Sequence, residues 1–116
     1  MKHERYQCSF ACPVEAAIEV IGGKWKGVIL YHLSDTKRFN ELRKLIPSVT
    51  QRMLTKQLRE LERDGVVLRT VYAQVPPKVE YSLTQFGETL RPILRELETW
   101  GNRYLERLSE TRNNFQ

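Results

Sequence analysis

A chain of 116 residues, 41% hydrophobic and 28% charged, has the make-up of one ordinary globular domain, which excludes wholesale disorder. No apolar run approaches the ~20 residues of a membrane helix, and the polar start MKHERYQ is no secretory signal, so a cytoplasmic location without membrane contact is expected. The formal charge of +5 belongs to the middle of the chain: residues 1–35 and 84–116 are each balanced, whereas 36–83 hold ten Lys and Arg against five Asp and Glu. A basic centre between neutral flanks is an electrostatic footprint for a polyanion, although a solvated helix face that happens to be basic gives the same pattern.

In chain order, Pro13 suits the first turn of a helix that Gly22-Gly23 ends, with Val14, Ala17, Ile18 and Ile21 as its apolar stripe. A second helix is expected from Lys24 to Leu33, burying Trp25, Val28, Ile29 and Leu33, with His32 packed in the core rather than serving as a ligand. Ser34-Asp35-Thr36 breaks the pattern. RFNELRKLI then makes a short third helix with Phe39, Leu42 and Ile46 inward, and Pro47 stops it.

The fourth helix has the clearest signals. Ser48 with Gln51 three residues later fits a capping box, and Gly65 stands where a left-handed C-terminal residue belongs. Leu54, Leu58 and Leu61 line one face. On a wheel of ~100° per residue, Gln51, Arg52, Thr55, Lys56, Arg59 and Arg63 fall in an arc of roughly 140° away from those leucines. That arc is rich in bidentate and phosphate-binding donors, while Glu60, Glu62 and Asp64 collect toward the far end.

VVLRTVYA and KVEYSL read as strands joined through Gln74-Val75-Pro76-Pro77, where prolines cost no ladder hydrogen bond. Thr84 is expected to cap a last long helix, in which Phe86, Leu90, Ile93, Leu94, Leu97, Trp100, Tyr104 and Leu108 form one stripe about six turns long. The parts are therefore positions 1–12 as an N-terminal segment with the cysteines, 13–110 as the folded domain, and 111–116 as a C-terminal tail.

A basic helix followed by a two-stranded ribbon describes the recognition helix and wing of a winged helix-turn-helix, a mainly α fold with a small β wing that reads duplex DNA. Gln51, Arg52 and Thr55, in the helix's N-terminal half, are the candidates for base edges in the major groove. Lys56 and Arg59 are the candidates for phosphates. Lys78, beside the turn, is the wing candidate for the minor groove or a neighbouring phosphate. The terminal stripe, with Leu97, Trp100 and Tyr104, is longer than a domain this small covers. Paired about a two-fold axis together with the first helix, it makes a homodimer whose recognition helices stand about one DNA turn apart.

Two cysteines in such a chain do not imply a structural disulfide. Cys12 precedes a proline at a helix start, where backbone N–H groups and the helix dipole favour a thiolate, and Lys2 and Arg5 add positive potential if the N-terminal segment folds back. Such a thiol reacts with electrophiles or oxidants; the alternative is a small buried hydrophobe. His3, Cys8 and Cys12 are too few for a metal site, and no cofactor is expected. An enzyme is the poorest reading: there is no Ser/His/Asp set and no glycine-rich phosphate loop, and Cys-x₃-Cys is not the redox spacing.

GGKWKGVILYHL, RFNELRKLIPSVTQRMLTKQLRELERDGVVLR and PPKVEYSLTQFGETLRPILRELETWG, with the Cys-Pro pair before them, together resemble HxlR-type bacterial transcriptional regulators. The resemblance runs in order from Cys12 to Gly101. It implies a homodimeric winged-helix DNA-binding protein. Such a dimer is expected to bind a pseudo-palindromic operator and to repress rather than activate, because no part is evident for recruiting polymerase, although position on the promoter could make an activator. Several members sense electrophiles or oxidants through an N-terminal cysteine, and Cys12 occupies that Cys-Pro position. Cys8, four residues earlier, departs from the pattern and leaves open whether a sensing thiol pairs within the chain or across a dimer. The alternative is a winged-helix module whose basic helix binds an acidic protein or RNA, with no thiol role.

Overall fold

The computed structural model describes residues 12–114. Its elements run α1 (Pro13–Ile21), α2 (Lys26–His32), β1 (Lys37–Arg38), α3 (Phe39–Leu45), α4 (Gln51–Arg63), β2 (Val67–Tyr72), β3 (Lys78–Leu83), α5 (Gln85–Glu88) and α6 (Arg91–Asn114). The three strands form one antiparallel sheet in the order β1-β3-β2, so the architecture is the winged helix-turn-helix read from the sequence. β1 is an addition to that reading. Lys37 and Arg38 pair with Tyr81 and Glu80, and two charged residues become a strand only because β3 offers them a ladder.

One core holds the parts together. Ile29, Leu30 and Leu33 of α2 and its cap meet Leu42, Ile46 and Val49 from α3 and the following turn. Leu54, Leu58 and Leu61 of α4, Val66, Val67 and Tyr81 of the ribbon, and Leu94 of α6 close it. Two expectations for the second helix are corrected. It starts at Lys26 rather than Lys24, and Leu30, not Val28, takes the core position beside Ile29 and Leu33, Val28 being 41% exposed. His32 is half-buried at the edge, its ring edge-on to Tyr31 at 5.3 Å between centroids, and does not belong to the core. α1 buries none of its residues within the chain.

The helix ends show which local chemistry was decisive. α4 is capped by Thr50, whose Oγ1 accepts from the Met53 N–H at 3.0 Å, and not by Ser48. Both hydroxyls suit the pattern. The buried Val49, whose N–H donates to the Ile46 carbonyl at 3.1 Å, keeps Ser48 in the preceding turn. The other end of α4 is as expected: Gly65 adopts φ +81°, its N–H donates to the Glu62 carbonyl at 3.0 Å, and that of Val66 to the Leu61 carbonyl at 3.1 Å.

The expected single terminal helix is two helices. Thr84 caps the short α5, with Oγ1 accepting from the Gly87 N–H at 2.9 Å and donating to the Gly65 carbonyl at 2.6 Å. The chain then turns at Thr89 and Leu90 before α6. Pro92 accounts for the break, because it has no N–H for the carbonyl of Glu88. No helix among the described residues is long and apolar enough to cross a membrane.

Candidate nucleic-acid interface

α4 presents two faces of opposite character. Leu54, Leu58 and Leu61 are fully buried, and on the far side Gln51, Arg52, Lys56 and Arg59 are exposed. Gln51, Arg52, Thr55, Lys56, Arg59, Glu60 and Arg63 line one shallow depression of about 740 Å³, so the residues grouped on the helical wheel do share a surface. Thr55 is the partial exception. It is half-buried and its Oγ1 donates to the Gln51 carbonyl at 2.9 Å, which leaves its oxygen only as an acceptor toward a ligand.

Glu60 borders that depression but is neutralised by a partner. Glu60 forms an ion pair with Lys26 of α2 at 2.7 Å. The Lys26 hydrogen bond, joined by the charges of Lys26, Lys56 and Arg63, holds the Glu60 carboxyl below its usual range against an opposing effect of burial. Asp64 is 9% exposed at the C-cap. The exposed arc carries the cations Arg52, Lys56, Arg59 and Arg63, with Glu62 the remaining exposed acid of the helix.

The two faces of the ribbon carry different cations. In the β2–β3 register Val67 lies across from Leu83, Arg69 from Tyr81 and Val71 from Val79, so these residues share the face that packs on α4. Tyr72 and Lys78, directly opposed, share the other face with Glu80. Lys78 reaches Glu80 at 3.4 Å and lies 4.9 Å above the Tyr72 ring; a hydrogen bond to Glu80 also raises the Tyr72 phenol above its ordinary value. Lys78 is thus held on the side of the ribbon away from α4. Arg69 is the cation on the α4 side, lining a groove of about 510 Å³ with Gln51, Thr55, Arg59, Tyr81 and the carboxylate of Glu62. The sequence does carry a signal for it: a charge at the strand phase of the core residue Val67.

Cys12 is exposed at the N-cap of α1, its side chain making no capping hydrogen bond. Cys8, His3, Lys2 and Arg5 lie outside the described residues. Leu97, Trp100 and Tyr104 are exposed along α6, with Trp100 and Tyr104 stacked at 5.6 Å and nearly parallel. Val14 and Ile18 of α1 are exposed as well.

Residues 20–109 match the model of the HxlR-like helix-turn-helix family. The HTH-type transcriptional regulator YdeP of Bacillus subtilis (strain 168) is 64% identical over 100 residues, covering 85% of this chain and 78% of YdeP. Among solved structures, the redox regulator HypR in its reduced form is similar with a TM-score of 0.81 and 60% identity, covering 85% of this chain and 99% of that one. HypR in its oxidized form is similar with a TM-score of 0.77 and 64% identity, covering 79% and 96%.

Proposed function

The chain belongs to the HxlR-like helix-turn-helix family and is a transcriptional regulator of the helix-turn-helix type; on that premise we propose that it represses by binding a pseudo-palindromic operator as a homodimer, and that modification of Cys12 alters this binding. The observation that carries the reading is the outward face of α4, where Arg52, Lys56 and Arg59 are exposed opposite three buried leucines. A helix of this kind fits the major groove, which is about 12 Å wide, with its N-terminal residues toward base edges and its cations toward phosphates. Gln51 and Arg52 carry the base-reading role in this proposal, with Thr55 as an acceptor. Lys56 and Arg59 bind phosphates.

Two such helices are needed for a two-fold operator, and the apolar surfaces of α1 and α6 supply the means of pairing. The thiol role rests on the exposure of Cys12 at a helix start next to that surface, and on the likeness to HypR, a redox regulator with reduced and oxidized forms. A bond or adduct formed there changes the packing of α1, hence the relation of the two recognition helices and the affinity for DNA.

Footprinting on the promoter beside its own gene, with and without a thiol oxidant, tests these parts together. The expected result is protection of two half-sites about one helical turn apart, lost or shifted by oxidant in the natural protein and unaffected in Cys12→Ser. Equal affinity for an unrelated duplex would refute the operator reading, and oxidant release that persists in Cys12→Ser would refute the thiol reading alone.

A further inference from the structure

A second concave site lies away from α4, where the base of α6 meets α2, β1, the end of α3 and the end of β3. It encloses about 510 Å³. That volume is in the range of small-molecule sites, roughly 300–1,000 Å³. Leu30 and Leu94 are buried in its floor, and Leu45 and Leu83 supply apolar wall, Leu45 remaining 46% exposed within the chain. The charged lining is mostly cationic. Lys37, Arg91 and Arg95 face Glu98, the one carboxylate among its described lining residues.

The partners of these groups decide which are available. Arg91 is committed to Glu88 through a two-pronged ion pair. Glu98 accepts the Tyr31 hydroxyl at 2.7 Å. Lys37 has only a loose approach to Asp35, 3.9 Å away, whose side chain is 87% exposed. Arg95 has no ion pair among the described residues. His32 lies on the same wall, and burial, with the Lys37 charge second, lowers its proton affinity; near neutral pH it offers hydrogen bonds without charge.

We propose that this cleft binds a small organic acid with an apolar body, its carboxylate held by Arg95 and Lys37 and its body resting on Leu30, Leu45, Leu83 and Leu94. A guanidinium without an ion pair among the described residues and an ammonium only loosely paired, above a leucine floor, suit that chemistry better than a free phosphate, which has nothing to place against the leucines. The occupant touches α6 and the elements that support α4 at once, so it bears on their relative setting.

The test is a chemical-shift titration of the full chain, without DNA, by benzoate, phenylacetate and octanoate, each against its neutral amide. Saturable shifts at cleft residues below ~10 mM are expected with at least one acid and none of the amides. Arg95→Gln is expected to weaken that acid by at least ~10-fold without changing the melting temperature. Acids and amides binding alike, no saturation by any acid, or unchanged affinity in Arg95→Gln each overturns the proposal. Because the measurement uses no DNA, its outcome is separate from that of the operator reading.

Discussion

Arg69 and Lys78 stand on opposite faces of the same two-stranded ribbon, and that separates their expected roles. Arg69 shares its face with the groove beside Thr55 and Arg59, whereas Lys78 is occupied by Glu80 and the Tyr72 ring. A cation that contacts a phosphate adds about one to the slope of log affinity against log salt when DNA binds. Arg69→Ala is therefore expected to weaken operator binding and to reduce that slope by about one, while Lys78→Ala changes both less. Fluorescence anisotropy with an operator duplex between low and moderate salt measures the two together; a larger effect at Lys78 would reverse the assignment. The same pair shows what the sequence discloses about the site. The basic arc of α4 is legible because thirteen helical residues fix which side chains share a side. The wing is legible in part: strand alternation puts Arg69 in phase with the core residue Val67 and Lys78 out of phase with Tyr81, but that the Tyr72 ring meets Lys78 depends on the register of two strands.

At the scale of elements, two joints hold α4 in position, and each has its own test. The first is Lys26–Glu60, which ties α2 to α4 with both side chains largely covered. Glu60 has a depressed carboxyl affinity for protons in the folded protein, so the stability it confers is present above its unfolded value and is lost as pH falls through the folded one. Lys26→Met is expected to cost about 1 kcal/mol near neutral pH and progressively less below roughly pH 4. Urea unfolding across that range checks this, and a constant difference between the two proteins would contradict it. The second joint is the contact of α5 with Val66, which follows directly on the C-terminal turn of α4. A Cβ on Gly87 would come 2.1 Å from the Val66 carbonyl oxygen, so Gly87→Ala must push the two backbones apart. Overpacking of this kind costs about 1–3 kcal/mol, read as a melting temperature lower by several degrees; an unchanged melting curve would show that the joint yields freely. Such joints escape sequence reading. α5 looks like the first turn of α6, Thr84 marks a helix start without showing that the helix is four residues long, and β1 is two charged residues with no strand character of their own.

At the scale of the whole molecule, the surface that the chain leaves open matters most. α6 has 24 residues and the longest dimension of the protein is 57 Å, so much of this helix extends past the core that Leu94 joins. Beyond Leu94, Leu97 is 51% exposed, Trp100 62% and Leu105 63%, while Val14 and Ile18 of α1 are 64% and 57% exposed. Large apolar side chains this open, on two helices, suit the pairing proposed above, for which a standard stable interface buries about 800 Å² per partner. Trp100→Glu is thus expected to yield a folded monomer, since Trp100 contributes nothing to the buried core, with near-ultraviolet dichroism otherwise preserved. Losing the linkage between half-sites removes the effective-concentration advantage, and operator affinity should fall by at least ~100-fold. Val71→Glu is the matched control: Val71 is 54% exposed, but on the ribbon, and its glutamate should leave the dimer intact. Light scattering at micromolar concentration gives the assembly state of all three proteins. If the natural chain is already monomeric there, or if Trp100→Glu remains dimeric, α6 is not the seam and the spacing of recognition helices must be set elsewhere.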